Sequence, residues 1–563
     1  MSNDLFNFNY HEDLEPTDNN YPISDVQWIY INDINANNYA NGYINFTNVS
    51  IIGNSVEKQY NWSQAYIAVP YTIIVQPANV VVTVDPANVN ALSVKSYSTF
   101  IDWVSVKFNG VSCTRNSYYN HLMMNERIKQ YNNDKYRLYG DIMCHNWDTG
   151  SGLQFSTTVG ESNNRTIPVN LTSGFKPANV VNQGHLNRCA KTNIDLTATA
   201  NSSLASFMGA NNTNLRDTEG QNALIYQGTD GLVFQGTAII PLSELHDFFK
   251  QMPSVASSSG FELRLQSNVS RENVYDLTYL VNNPIPQTVT SQQIVGHCCP
   301  FMLSNPSIDG SSGLRVNALT ASTIRLRSYI GWGNQYNSTL AANWGNSNPC
   351  RIYLPAISYN NDYIKRIVEK PFYSLKYSDF YVDSDLNKEQ GGQVTRLFNV
   401  QLSRVRNLYI IPYLSSSETV PSPFNSPISS GPITCSPCRL KNFNIQIGGQ
   451  NIFTEPQNFN YQFYNNNVLS IMADINGNSL KSKFFGGQIT KSMWENGYNV
   501  YTINLEKCTD EITDSIMKSF QLIFQIESNS NQQNRITYDF YYMITYQSEL
   551  MLDRSTGQIT NSQ

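Results

Sequence analysis

Eight stretches of this chain share one design: eight to thirteen residues rich in β-branched and aromatic side chains, bounded by Pro, Asn or Gly. They are AYIAVPYTIIVQP (65–77), NVVVTVDP (79–86), GLVFQGTAIIP (231–241), GFELRLQSN (260–268) and STIRLRSYIGW (322–332), then RNLYIIPYL (406–414), FQLIFQIES (520–528) and RITYDFYYMITYQ (535–547). Phe261, Leu263 and Leu265 alternate with polar residues, as do Leu522, Phe524 and Ile526. A period of two gives a strand one buried and one wetter face. Helical signals are few: IPLSELHDFFKQM (240–252), YYNHLMMNERIKQY (118–131) and TDEITDSIMKSF (509–520). With strands in excess and no strand–helix–strand alternation, the expected class is all-β with a few short helices, in an antiparallel sandwich or barrel.

The composition agrees. About 70 asparagines supply turns and loops, while 35 Tyr and 26 Phe supply strands. Charged residues make up only 14% against 40% hydrophobic, which excludes a charge-rich disordered chain. The net charge of -6 and the acidic start, with Asp4, Glu12, Asp13, Glu15 and Asp18 and no Lys or Arg, exclude a basic genome-binding arm there. No signal peptide and no bilayer-length apolar run are expected. Nine cysteines without a secretion signal favour reduced thiols. Triplets such as Asn61-Trp-Ser and Asn337-Ser-Thr are what chance gives in such a chain.

Two short sequences recur, PANV at 77–80, 86–89 and 177–180, and GGQ at 391–393, 448–450 and 486–488. Their spacing is irregular, so they read as reused turns, with left-handed glycines in GGQ, and not as a solenoid. At a coarser level the chain divides into two β units, the second beginning near KPFYSLKYSDFYV at about residue 370.

Chemistry is sought first at Cys435-Ser-Pro-Cys438. A structural zinc needs four ligands, and the only comparable cluster, His297-Cys298-Cys299, lies far upstream with adjacent cysteines. A redox pair would open a helix, whereas Pro432 and Pro437 surround this one. Cys435 and Cys438 are therefore disfavoured as metal ligands and read as two thiols in a Pro-rich loop. His246, beside Phe248 and Phe249, fits a helix cap or an interface better than a catalyst. Asp383 and Asp385 could hold a cation but read as solvated carboxylates. No hydrolase, nucleotide or metalloprotease motif is present. No catalytic, cofactor-binding or metal-ligating residues and no cofactor are thus expected.

The most informative stretch is PSPFNSPISSGPITCSPCRLKNFNIQIGGQNIF (421–453), a Pro/Ser loop leading into a strand on which Leu440, Phe443, Ile445 and Ile447 alternate with polar residues. This stretch and its continuation to 466 resemble the carboxy-terminal unit of double jelly-roll major capsid proteins, a family of Polinton-like viruses, adintoviruses and virophage-related small eukaryotic double-stranded DNA viruses. WENGYNVYTINL (494–505), YDFYYMITYQSELMLDRSTGQI (538–559) and, in the first unit, FQGTAIIPLSELHDFF (234–249) resemble further segments of that family. The Cys435/Cys438 pair is outside its pattern. The resemblance implies two tandem eight-stranded jelly rolls, with an arm at 1–40, the first roll at 41–368, the second at 369–550 and a tail at 551–563. It further implies a homotrimeric, pseudo-hexagonal capsomer in an icosahedral virion shell. The partners would be other copies and penton or minor capsid proteins, without sequence-specific nucleic-acid binding; an internal membrane is left open. Two other classes compete: a trimeric β-sandwich fibre or adhesin head that binds glycans, and a β-sandwich or C-x-x-C enzyme. The absence of a shaft repeat separates the first, and zinc or thiol analysis separates the second.

Overall fold

A computed structural model describes residues 23–47, 58–77, 92–108, 110–114, 118–140, 142–146, 224–228, 231–256, 260–270, 273–280, 283–293, 295–303, 321–331, 349–402, 404–415, 438–465, 489–495, 498–505, 518–527, 537–556 and 558–561. The acidic start, the run at 79–86, the third GGQ, the loop holding Cys435 and most of the helical candidate at 509–520 lie outside the described residues.

The first unit contributes β1 (Ile23–Asn32), β2 (Tyr43–Thr47), β3 (Lys58–Tyr60), β4 (Tyr66–Pro77), β5 (Leu92–Val94), β6 (Ile101–Phe108), β7 (Val111–Ser112) and β8 (Leu224–Gly228). It continues with β9 (Gly231–Pro241), β10 (Val255–Ala256), β11 (Phe261–Ser267), β12 (Asn273–Leu280), β13 (Asn283–Gln293), β14 (Phe301–Leu303), β15 (Ala321–Ile330) and β16 (Arg351–Tyr359). The second unit holds β17 (Phe372–Glu389), β18 (Gln393–Leu402), β19 (Val405–Leu414), β20 (Leu440–Ile447) and β21 (Gln450–Asn451). Then come β22 (Gln457–Phe459), β23 (Tyr501–Asn504), β24 (Lys518–Ile526), β25 (Thr537–Asp553) and β26 (Gln558–Asn561). The helices are α1 (Asn120–Lys129), α2 (Asn133–Gly140), α3 (Leu242–Leu245), α4 (Asp247–Gln251), α5 (Asn361–Glu369) and α6 (Lys491–Glu495).

Strand order identifies the architecture. In the second unit the sheets run β17-β25-β19-β23 and β18-β24-β20, with β21 and β22 on β20. Lettering the eight core strands B to I in chain order, these sheets are B-I-D-G and C-H-E-F, the order of a jelly roll. The first unit has the same order: β1 pairs β16, β16 pairs β4 and β4 pairs β9, while the facing sheet runs β2-β11-β6-β7. The chain is therefore two jelly rolls in tandem. The remaining strands of the first unit are additions to this frame, such as β12, β13 and β15, which extend its first sheet beyond β4.

All these pairs are antiparallel, so the connections B–C, D–E, F–G and H–I leave from one end of each sandwich. The Cys435/Cys438 loop is the D–E connection of the second unit, and the long F–G (113–230) and H–I (268–350) segments of the first unit spring from one end. At the other end are tight turns, where Gly448 and Gly449, both with positive φ, close the β20–β21 corner.

Period-two burial is explicit in β11, where Phe261, Leu263 and Leu265 are buried and Glu262 and Arg264 are exposed. β20 departs from strict alternation. Leu440 and Phe443 both face the core although three positions separate them. Asn442, at φ 52°, is a bulge residue that rephases the strand: Lys441 pairs with Gln525 and Asn444 with Ile523, leaving two residues opposite one. Two cores follow. One joins Phe46, Trp62, Val106 and Leu354, the other Phe443, Tyr501, Leu522 and Phe540. The largest fully buried side chains include eight tyrosines, so Tyr here fills the interior as well as any outer face.

β1 lies within the segment assigned to an arm and pairs with β16 from Ile23 to Asn32. Within the segment assigned to a tail, β26 pairs with the end of β25.

Candidate functional site: the seam between the two units

The described part of the F–G connection of the first unit carries α1 onto the second. The helix is entered from Tyr119, at φ 68°, and has almost no exposed side. Met124 joins the first core, Ile128 joins the second, and Leu122 and Met123 lie against Phe380, Tyr409, Ile411, Tyr413, Tyr541 and Met543. Those six residues form the outer face of the β17-β25-β19 sheet, since their neighbours Leu408, Ile410, Phe540, Tyr542 and Ile544 fill its inner face. Three polar residues of α1 are bonded in the interior: Ser98 donates to Asn125 Oδ1 at 2.7 Å and Lys129 Nζ pairs with Glu126 at 2.5 Å. The same Nζ donates to the Asn499 carbonyl of the second unit at 3.3 Å. Burial pushes the Glu126 carboxyl up, and Lys129 opposes it.

A second contact is built by α3 and α4. Pro241 precedes α3, where its missing N–H costs nothing. His246 caps α4, with Nδ1 accepting from the Phe248 amide at 3.1 Å. That leaves Nε2 to face Asp379 of β17 at 3.4 Å. Asp247 accepts from the Ser378 amide at 2.8 Å, and Tyr377 donates to the Cys113 carbonyl at 2.6 Å. Burial raises the Asp247 carboxyl, but Lys250, Arg127 and that amide outweigh it and hold it low. His246 thus serves as helix cap and unit contact at once.

One ionic cluster at this seam was not evident from the sequence. Asp102, at the start of β6, is fully buried. His297 Nδ1 approaches one of its oxygens at 2.6 Å and His121 Nδ1 of α1 the other at 3.2 Å. Burial alone would raise the Asp102 carboxyl, yet the two imidazoles bring it down to about 2. The Asp102 hydrogen bond raises the His297 imidazole. Tyr119 packs between His297 and Tyr541, with centroids at 4.6 and 5.2 Å, so the H–I segment, α1 and β25 meet here. The three residues come from distant parts of the chain; no local spacing could have linked them.

Other candidates fall in ordinary roles. Cys438 is buried, and its backbone carbonyl accepts from the Tyr501 hydroxyl. Cys298 and Cys299 are buried free thiols, and burial pushes Cys298 up to about 12. Asp383 and Asp385 are not simply solvated: Arg396 clamps Asp383 through Nε and Nη2 at 3.1 and 2.5 Å and reaches Asp385 at 3.0 Å. Among the described residues no group of three or more His, Cys, Asp or Glu is placed to hold a metal ion.

No family model and no curated protein matches the chain. Solved structures do. A chain of the Sputnik virophage is matched at TM-score 0.47 and 11% identity, covering 98% of this chain and 91% of that one. The mavirus major capsid protein is matched at TM-score 0.48 and 9% identity, over 98% and 93%. The Faustovirus major capsid protein is matched at TM-score 0.42 and 10% identity, over 96% and 92%.

Proposed function

We propose that the chain is a structural subunit, the major capsid protein of an icosahedral double-stranded DNA virus, and not an enzyme. The observation that carries this reading is the doubling of one strand order: two B-I-D-G/C-H-E-F sandwiches in one chain, locked together by α1, α3 and α4. Two like units in a fixed relation form a building block, because each presents comparable faces to its surroundings. The motif resemblance at 422–466, 494–505 and 538–559 supports the same reading. We further assign the chain to homotrimers that present six sandwiches as a pseudo-hexagon, pack against other capsomers, and reside in the virion. The divisions at 41, 369 and 551 belong to this proposal, with β1 and β26 added to their respective units.

Sizing the purified chain tests the reading. A trimer of about 190 kDa, three times 63.6 kDa, with a six-lobed outline in negative-stain micrographs is expected. A stable monomer whose units separate on mild proteolysis would overturn it. A trimer that binds glycans saturably and never forms shells would instead favour a fibre head.

A further inference from the structure

The acidic start of the chain, with Asp4, Glu12, Asp13, Glu15 and Asp18 and no Lys or Arg over residues 1–22, has no role in the reading above. Its point of attachment is fixed by β1. Ile23 pairs with Tyr359 at the end of β16, and Ser24 donates to the Ser358 carbonyl at 2.9 Å. Immediately after Tyr359 comes Asn360, the cap of α5, which accepts from the Tyr363 amide at 3.0 Å. The chain therefore enters β1 beside the first turn of α5. The inner side of that helix is anchored by Ile367 and by Tyr363, whose ring lies 4.5 Å from that of Tyr359. Its outer side and the start of β17 are exposed and of mixed character. Val368 is 57% exposed, and Phe372, at 71%, is the most exposed large apolar side chain among the described residues. Over 361–376 the exposed Lys365, Arg366, Lys370 and Lys376 stand against Asp362 and Glu369, a net of +2 in a chain whose total is -6. Asp362 faces Lys365 at 3.7 Å and Glu549 faces Lys376 at 3.9 Å, but Arg404 offsets Glu549 at 2.8 Å and Arg554 offsets Asp553, so the surplus stands.

We propose that residues 1–22 dock on this α5 face of their own chain. Glu12, Asp13, Glu15 and Asp18 meet Lys365, Arg366 and Lys370, while Phe6 and Phe8 meet Val368 and Phe372. The proposal goes beyond the assembly reading and does not depend on it. Charge is the first reason, since a segment of five carboxylates lies next to a cationic surplus in an otherwise acidic chain. Attachment is the second. A segment joined to the chain beside the face binds it intramolecularly, at an effective concentration of about millimolar, ahead of free anionic partners. Reach is ample: the chain from Phe8 to Ile23 spans up to about 50 Å when extended, against roughly 14 Å for the length of α5. The order of residues agrees as well. The carboxylates at 12–18 lie nearer to Ile23 and the rings at 6 and 8 farther, just as the α5 cations come before Phe372 when counted from Tyr359. Docked there, the segment covers the exposed apolar pair and reverses the sign of the face, so a finished subunit does not present that face to other anions.

The test uses the full chain, made as isotopically light and heavy pools that are mixed, with p-benzoylphenylalanine in place of Phe372. Cross-links from position 372 into peptides within 1–22 of the same pool are expected. Glu12→Lys/Asp13→Lys/Glu15→Lys/Asp18→Lys should lower their yield roughly tenfold with an unchanged far-UV spectrum, because repulsion replaces attraction. Adding Lys365→Glu/Arg366→Glu/Lys370→Glu to that variant should restore the yield. If the combined variant does not fold, a titration of the unsubstituted arm with salt replaces it, and the yield should fall by about 1 M NaCl. The proposal is overturned by a probe that never reaches 1–22, by cross-links that join light to heavy chains, or by a yield indifferent to the reversed charges. Transfer of the probe only to phosphatidylserine vesicles would assign the face to lipid and overturn it equally. The readout is the same for a monomer and a trimer, so failure here leaves the assembly reading standing.

Discussion

Deleting Asn442 removes one residue from the middle of an inner strand, a change that ordinarily turns every side chain beyond it to the wrong face. Here the opposite is expected. In β20 Leu440 pairs with Ile526, Lys441 with Gln525, Asn444 with Ile523, Ile445 with Leu522 and Ile447 with Phe520. Asn442 and Phe443 together oppose the single residue Phe524. Without Asn442, Phe443 stands opposite Phe524 and every one of these pairs keeps its place. The losses are an exposed bond that Asn442 Nδ2 donates to Gln525 Oε1 at 3.0 Å and a long one that the Asn442 amide donates to Asn458 Oδ1 at 3.4 Å. The gain is relief of a positive φ, so the net change should stay within about 1 kcal/mol. Deleting Asn444 is the control. It forces Phe443, or else both Ile445 and Ile447, out of the core and sends an amide inward. At roughly 1.5–3 kcal/mol for each apolar side chain and about 1–3 for the buried amide, the cost is roughly 3–6 kcal/mol. That is a large part of what holds a domain folded. Urea unfolding of the full chain, followed by proteolytic susceptibility of the second unit, should leave the midpoint of the first deletion near wild type and lower that of the second sharply. Equal losses in both would refute the bulge as the device that sets the phase of β20.

Two further outcomes follow from the first unit. A methyl on Gly236 would lie 2.5 Å from the Tyr71 hydroxyl and 2.6 Å from Cζ, and Tyr71 is itself held between Phe100 and Tyr97. Gly236→Ala should therefore cost about 1–3 kcal/mol, read as a lower melting temperature; an unchanged value would show that the ring can move. At the Asp102 cluster, the raised His297 contributes stability that is complete below pH 6.5, its ordinary value, and is lost as pH rises through its folded pKa. The lowered Asp102 contributes above pH 3.8, losing that contribution only as pH falls through about 2. Wild type should lose stability relative to Asp102→Asn as pH rises above 6.5, and NMR titration of His297 should give a value above 6.5. A His297 that titrates at or below that value would contradict the pairing.

Much of the strand inventory was legible because alternation is a local property. GFELRLQSN and FQLIFQIES carry it in their own residues, and both form strands where the pattern falls. The pairing of β1 with β16 joins residues more than three hundred positions apart, and no local signal carries it. The β1 sequence ISDVQWIYIN is nevertheless strand-like, with Trp28 and Tyr30 turned to the outer face. α1 was visible as a helix but its role was not. A helix buried on nearly every side has no apolar stripe, and its polar residues are bonded inside and not turned outward. His246 could be read because a cap is set by its immediate neighbours. Asp102, His121 and His297 could not, because three separate segments bring them together.

The strand order also dictates a timetable. In each unit the first strand hydrogen-bonds to the last, so neither B-I-D-G sheet can close before its final strand has been synthesised. β17 of the second unit waits for β25, and β1 of the first waits for β16. α1 waits longer still, since Met543, against which it packs, emerges about 400 residues after the helix. At roughly 5–20 residues per second, Leu122 and Met123 spend about 20–80 seconds without their sheet. During translation the chain therefore carries a helix whose Leu122 and Met123 lack their surface, while every finished copy of the chain has formed that same surface. Docking α1 onto the sheet of another copy would produce a swapped assembly, and protection of this helix during synthesis becomes a condition for producing correctly formed subunits.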